Sequence, residues 1–118
     1  MQISITFKNI DSSDAVKSHI HEKFEKLEKI LDHQADAYIV LSIEKSRNIA
    51  DINFNCDKIK IHAKEASENN MYAAIDALTD KVKLQIRKYK DKQRRHLAGD
   101  KQSIKPHEME MYVKESIN

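Results

Sequence analysis

Residues 37–64 read AYIVLSIEKSRNIADINFNCDKIKIHAK, and their alternation decides the fold. Ala37, Ile39, Leu41 and Ile43 fall on one side of an extended chain, with Tyr38, Val40, Ser42 and Glu44 on the other. Residues 49–56 repeat the pattern, setting Ala50, Ile52, Phe54 and Cys56 against Asp51, Asn53 and Asn55. Asn55 to Lys58 carries turn chemistry. Ile59, Ile61 and Ala63 then alternate with Lys58, Lys60, His62 and Lys64. A period of two with one apolar side marks a half-buried strand. Three such strands with short connections predict an antiparallel meander.

Working upstream, Val16, Ile20, Phe24, Leu27 and Leu31 recur at spacings of three and four, which predicts an amphipathic helix over about 14–32. Ser13 suits its N-cap, and Asp14 suits the positive end of its dipole. Before it, Ile3, Ile5 and Phe7 alternate with Gln2, Ser4, Thr6 and Lys8, a further strand over 2–8. Downstream, Ser67 to Asn70 offers capping residues and no apolar one. Met71, Ile75, Leu78, Val82, Ile86 and Tyr89 then form the stripe of a second helix that runs to about residue 95.

The order is therefore β-α-β-β-β-α, an α+β fold. Each strand has one apolar side and each helix one apolar stripe. The economical packing lays both helices on one face of a four-stranded sheet and leaves the other face polar and exposed. A chain of 118 residues fits one domain with a short extension. The single glycine, Gly99, and the single proline, Pro106, both follow the second helix. They divide the chain into a domain over 1–96 and a flexible tail over 97–118, where Met109, Met111 and Tyr112 offer short contacts.

A lone cysteine, Cys56, cannot close an internal disulfide. No apolar run approaches the roughly 18 residues of a membrane helix, and the opening MQISITFK has no signal-peptide core. The expected compartment is the cytoplasm.

Net charge is only +2, but it is unevenly spread. Residues 1–80 carry a net −4, residues 81–96 a net +7, and residues 97–118 a net −1. The central block, KVKLQIRKYKDKQRRH, holds eight Lys or Arg and one acid. At 100° per residue, Lys83, Arg87, Lys90 and Arg94 project to one flank of the helix, and Lys81, Lys88, Lys92 and Arg95 to the other. Like charges at i,i+4 repel by a few tenths of a kcal/mol per pair, and the helix dipole favours cations only in the last turn. Eight cations exceed what the dipole explains, so the block points to a polyanion.

The apolar stripe is committed to the sheet, which argues against insertion into a membrane. No helix-turn-helix pattern is present. Phe7 and Phe54 lie on the apolar side of their strands, leaving Tyr38 as the exposed strand aromatic, too little for base stacking across a sheet. The block suits phosphate contacts and RNA shape, with little base reading.

Four stretches carry a family resemblance: MQISITFKNID at the start, EKFEKLEKILD at 22–32, YIVLSIEK at 38–45, and NMYAAIDALTDKVKLQIRKYKDKQRRH at 70–96. Over about residues 1–96 the chain resembles the short ribosome hibernation promoting factors and ribosome-associated translation inhibitors, the sigma-54 modulation protein family. The resemblance implies a fold like that of double-stranded-RNA-binding domains. It implies a partner, the small ribosomal subunit and its rRNA, bound in the channel shared by messenger and transfer RNA. Translation would be blocked there, and ribosomes stored inactive, in stationary phase or stress. It assigns RNA contact to Lys81, Lys83, Arg87, Lys88, Lys90, Lys92, Arg94 and Arg95, and less strongly to Lys23, Lys26 and Lys29 of the first helix. The protein is expected to be a monomer off the ribosome.

The end of the chain departs from the family pattern. The short factor stops near the position of His96, the long form adds a whole dimerisation domain, and the inhibitor's tail is strongly acidic. The core favours the hibernation factor; whether stored ribosomes are dimers or monomers stays open.

Other chemistry is poorly supported. His19 and His21 point to different sides of a helix, and no Cys-x-x-Cys or His-x-x-x-His spacing occurs, so no metal is expected. Cys56 reads as a small core residue, His62 as a solvated residue or an RNA contact, and Tyr72 as covering a sheet edge, with stacking on RNA as the alternative. Asp76 and Asp80 suit pairing with nearby lysines. One glycine cannot build a phosphate loop, and no nucleophile, base and oxyanion donor assemble. No cofactor, no small-molecule substrate and no enzymatic activity are expected. Two alternatives stand beside the ribosome reading: a module docking its basic helix on an acidic protein, and a generic double-stranded-RNA binder.

Overall fold

Two residues, Lys45 and Ser46, join β2 (Ala35–Glu44) to β3 (Arg47–Cys56), and both are left-handed, at φ 50° and 66°. That is the requirement of a type I′ hairpin turn, met here without glycine. The turn locks the register, so Tyr38 pairs with Asn53, and Ile39 with Ile52. β4 (Ile59–Ser67) continues the meander, antiparallel to β3. β1 (Gln2–Phe7) lies parallel to β2, because the chain returns through α1 (Asp14–Glu28) before the next strand begins. The sheet is thus mixed, in the order β1-β2-β3-β4. α2 (Met71–Leu97) completes the β-α-β-β-β-α order. The structure, a computed structural model, describes residues 1–97, with side chains through Lys92. The predicted tail therefore lies, from residue 98 on, outside the described residues.

Both helices cover one face. Ile20 and Phe24 of α1 and Ile75, Leu78, Val82 and Ile86 of α2 join Ile39, Leu41, Ile52 and Phe54 of the sheet in a single core. Each is at most 1% exposed, and burying such a side chain contributes about 1.5–3 kcal/mol. The other face is the polar one that the alternation predicts. Ser4, Tyr38, Asn53 and His62 stand in register across it, one from each strand.

The caps fit the sequence. Ser13 Oγ accepts the Val16 amide at 3.2 Å at the start of α1. Asn70 Oδ1 accepts the Ala73 amide at 2.8 Å at the start of α2. Three expectations need correction. α1 ends at Glu28 rather than at residue 32. Its chain tightens instead into turns in which the Ile30 and Leu31 amides bond the Leu27 and Glu28 carbonyls, both at 3.1 Å. Ile43 is 51% exposed, because β2 carries it beyond the helical cover toward the hairpin. Tyr89 sits at the rim of the core, with its hydroxyl 3.5 Å from the Lys60 carbonyl.

A left-handed residue with a β-carbon costs about 1 kcal/mol, and the turn has two of them. Lys45→Asn with Ser46→Gly is therefore expected to raise the unfolding free energy by about 1 kcal/mol, read from urea midpoints. A fall would contradict the turn geometry.

Candidate nucleic-acid interface

α2 buries one side and shows the rest, and the contacts fix which flank faces what. On one flank, Lys81 Nζ lies 3.4 Å from Glu65 Oε1 of β4. On the other, Asp76 Oδ1 lies 2.7 Å from His19 Nε2 and 3.4 Å from Lys23 Nζ of α1. Lys90 Nζ, on that same flank, donates to the Ile30 carbonyl at 2.7 Å, just past the end of α1. The two flanks read from the sequence are thus a β4-facing side and an α1-facing side.

Lys83, Arg87 and Lys92 are exposed, so their charges face solvent between and beyond these anchor points. Lys88 is half-buried, and burial holds its ammonium below the usual range. Arg94 and Arg95 lie on the final turns of α2, outside the described side chains. His19, Lys23 and Lys26 of α1 recur at helical spacing, and Ile30 lies just past its C-cap. Since His19 and Lys23 both reach Asp76 of α2, helical spacing puts the exposed Lys26 on the same flank of α1. Lys29 is exposed at the C-terminal end of α1. The result is a cationic ridge with a positively lined seam beside it. Exposed lysines and arginines are the side chains that most often contact phosphates in nucleic-acid complexes.

Sequence reasoning missed two features. Leu84, 53% exposed, stands among the cations and belongs to no apolar stripe; a large apolar residue within KLQIR was its only signal. The His19–Asp76 pair joins residues 57 apart, a distance no local pattern spans. Tyr72 packs edge-on against His19 of α1, with ring centroids 5.0 Å apart. His62 is exposed, as expected, and its Nε2 lies 3.0 Å from Asp51 Oδ1 across the polar face. Cys56 is buried, and burial pushes its thiol up. Among the described residues no cluster of three or more His, Cys, Asp or Glu could hold a metal ion. No described helix is long and apolar enough to cross a membrane.

A four-stranded sheet backed by two helices, with exposed cations on the second, defines a small α+β protein. The comparison with known families is specific. Residues 3–94 match the family described as Sigma 54 modulation protein / S30EA ribosomal protein, and the chain belongs to it. The ribosome hibernation promoting factor of Klebsiella oxytoca is 43% identical over 96 residues, 81% of this chain and all of that protein. The protein of the same name from Escherichia coli K12 is 38% identical over the same shares. A ribosomal subunit interface protein from Coxiella burnetii has the same fold, with a TM-score of 0.72 and 28% identity over 77% of this chain and 99% of its own. The N-terminal domain of Thermus thermophilus Protein Y shares the fold at a TM-score of 0.70 and 24% identity, over 75% and 99%.

Asp76 yields a pH prediction. Burial pushes its carboxyl up, but the hydrogen bond with His19 and the charges of Lys23 and His19 outweigh it, and the net position is below the usual 3.8. A depressed carboxyl stabilises the fold above its unfolded value, and that stability is lost as pH falls through the folded value. Asp76 is 44% exposed, so solvent screening limits the effect to about 0.5 kcal/mol. Asp76→Asn is expected to lower stability by that amount near neutral pH and to match the wild type once pH is well below 3.8, as checked by urea unfolding across pH. A difference that persists in acid would contradict the ion-pair account.

Proposed function

We propose that this protein is a ribosome hibernation factor that binds the small ribosomal subunit in the channel used by messenger and transfer RNA. The exposed cations of α2 carry this reading, together with membership of a family whose relatives bear the hibernation name. The outer face of α2 and the α1–α2 seam lie against rRNA phosphates. Lys83, Arg87, Lys88, Lys92, Arg94 and Arg95 supply the charge, with Lys23, Lys26 and Lys29 of α1 at the margin.

The action is occupancy. No bond is made or broken, and no cofactor is needed. Each cation that neutralises a phosphate releases condensed counterions, so binding is driven partly by entropy and weakens with salt. A rigid sheet behind the ridge keeps the charges in a fixed array, so little ordering is lost on docking. A body of this size in the channel excludes the ligands that translation needs. The setting is the cytoplasm of stationary or stressed cells, and off the ribosome the protein is a monomer.

Lys83→Glu with Arg87→Glu is expected to weaken co-sedimentation with small subunits by about two orders of magnitude at 0.1 M salt. Both side chains are exposed, so the melting curve should be unchanged. Retention of binding by the folded double variant would overturn the proposed interface. Equal binding of the wild type to free duplex RNA and to ribosomes would replace the reading with a generic duplex binder. A pull-down that survives RNase and lacks ribosomal components would replace it with an acidic protein partner.

A further inference from the structure

The basic block is not uniform. Lys90 turns inward: its Nζ donates to the Ile30 carbonyl at 2.7 Å and lies 3.7 Å from Asp32 Oδ2. Its side chain is 32% exposed. Ile30 follows the last turn of α1, where carbonyls lack partners within the helix and the dipole is negative. A lysine from another helix meets both needs at once. On the opposite flank Lys81 is tied to Glu65 of β4, with its side chain only 16% exposed. Tyr89, between them in sequence with Lys90, rests over the start of β4 at the Lys60 carbonyl. α2 is therefore pinned from both sides within ten residues, at the point where its exposed cations begin.

We infer that Lys90, with Lys81 opposite, is a positioning residue that fixes the rotation of α2, and is not itself an RNA contact. This deepens the ribosome-binding reading and rests on it: the ridge needs a defined azimuth, and two of its own lysines provide it. Without the Lys90 clamp the last turns of α2 have more freedom. Docking must then order them, which weakens binding. The number of phosphates neutralised is unchanged, so the salt dependence stays the same.

The test compares Lys90→Met with the pair Lys83→Met and Arg87→Met in the full chain, reading melting temperature and small-subunit affinity across salt. For Lys90→Met the expected result is a melting temperature lower by about 4 °C, an affinity lower by about fivefold at each salt, and a wild-type slope of log affinity against log salt. For the Lys83 and Arg87 variants the slope should fall by about 0.7–0.9 each, with melting unchanged. A reduced slope for Lys90→Met would make it a phosphate contact and overturn the inference. So would an unchanged melting temperature, or lower melting with unaltered affinity. If the Lys83 and Arg87 variants leave the slope intact, the ribosome interface itself fails; the melting of Lys90→Met needs no ribosome and still decides the clamp.

Discussion

Phe54, Ile52 and Ala50 of β3 and Leu41 and Ile39 of β2 are buried on one face of the sheet, beneath α1 and α2. That burial is the constraint from which the rest follows. It spends the apolar stripe of each helix on the sheet and fixes which side of α2 can meet a partner. Val82 and Ile86 point inward with no exposed area, whereas Lys83 and Arg87, each one residue further along the helix, are exposed. The cationic surface of α2 lies on the side away from the core.

Length adds to this. A helix of 27 residues extends about 40 Å, whereas a nine-residue strand spans about 30 Å. Tyr89 lies over Lys60, next to the first residue of β4, so the final turns of α2 run past the sheet. There the helix no longer has a β4 flank to cover, and Lys92 is exposed. The seam with α1 stabilises this projecting element through the contacts of Asp76 and Lys90, which brace α2 near its start and near its overhang.

Much of this was legible in the residues. Alternation at 37–64 and the stripes of both helices gave the element order and nearly all of the core, because burial on one face imposes a period that local sequence must obey. The flanks of α2 were also readable, since helical geometry alone separates Lys83 and Arg87 from Lys81 and Lys88. What local pattern cannot carry is which cation is used internally. Lys90 and Arg87 look alike in the sequence; only the path of α1 puts the Ile30 carbonyl beside one of them. The exposure of Ile43 was hidden for a similar reason. Its parity is that of the core, but the extent of helical cover is a tertiary property. The parallel placement of β1 likewise follows from a crossover, not from the strand itself.

The most direct test is an electron cryomicroscopy reconstruction of the protein on small ribosomal subunits. The account predicts density in the cleft between head and body, with the outer face of α2 and the α1–α2 seam against rRNA backbone, and with Lys90 still turned to the end of α1. Density elsewhere on the particle, or with the polar sheet face of Tyr38 and His62 toward the RNA and α2 toward solvent, would contradict it.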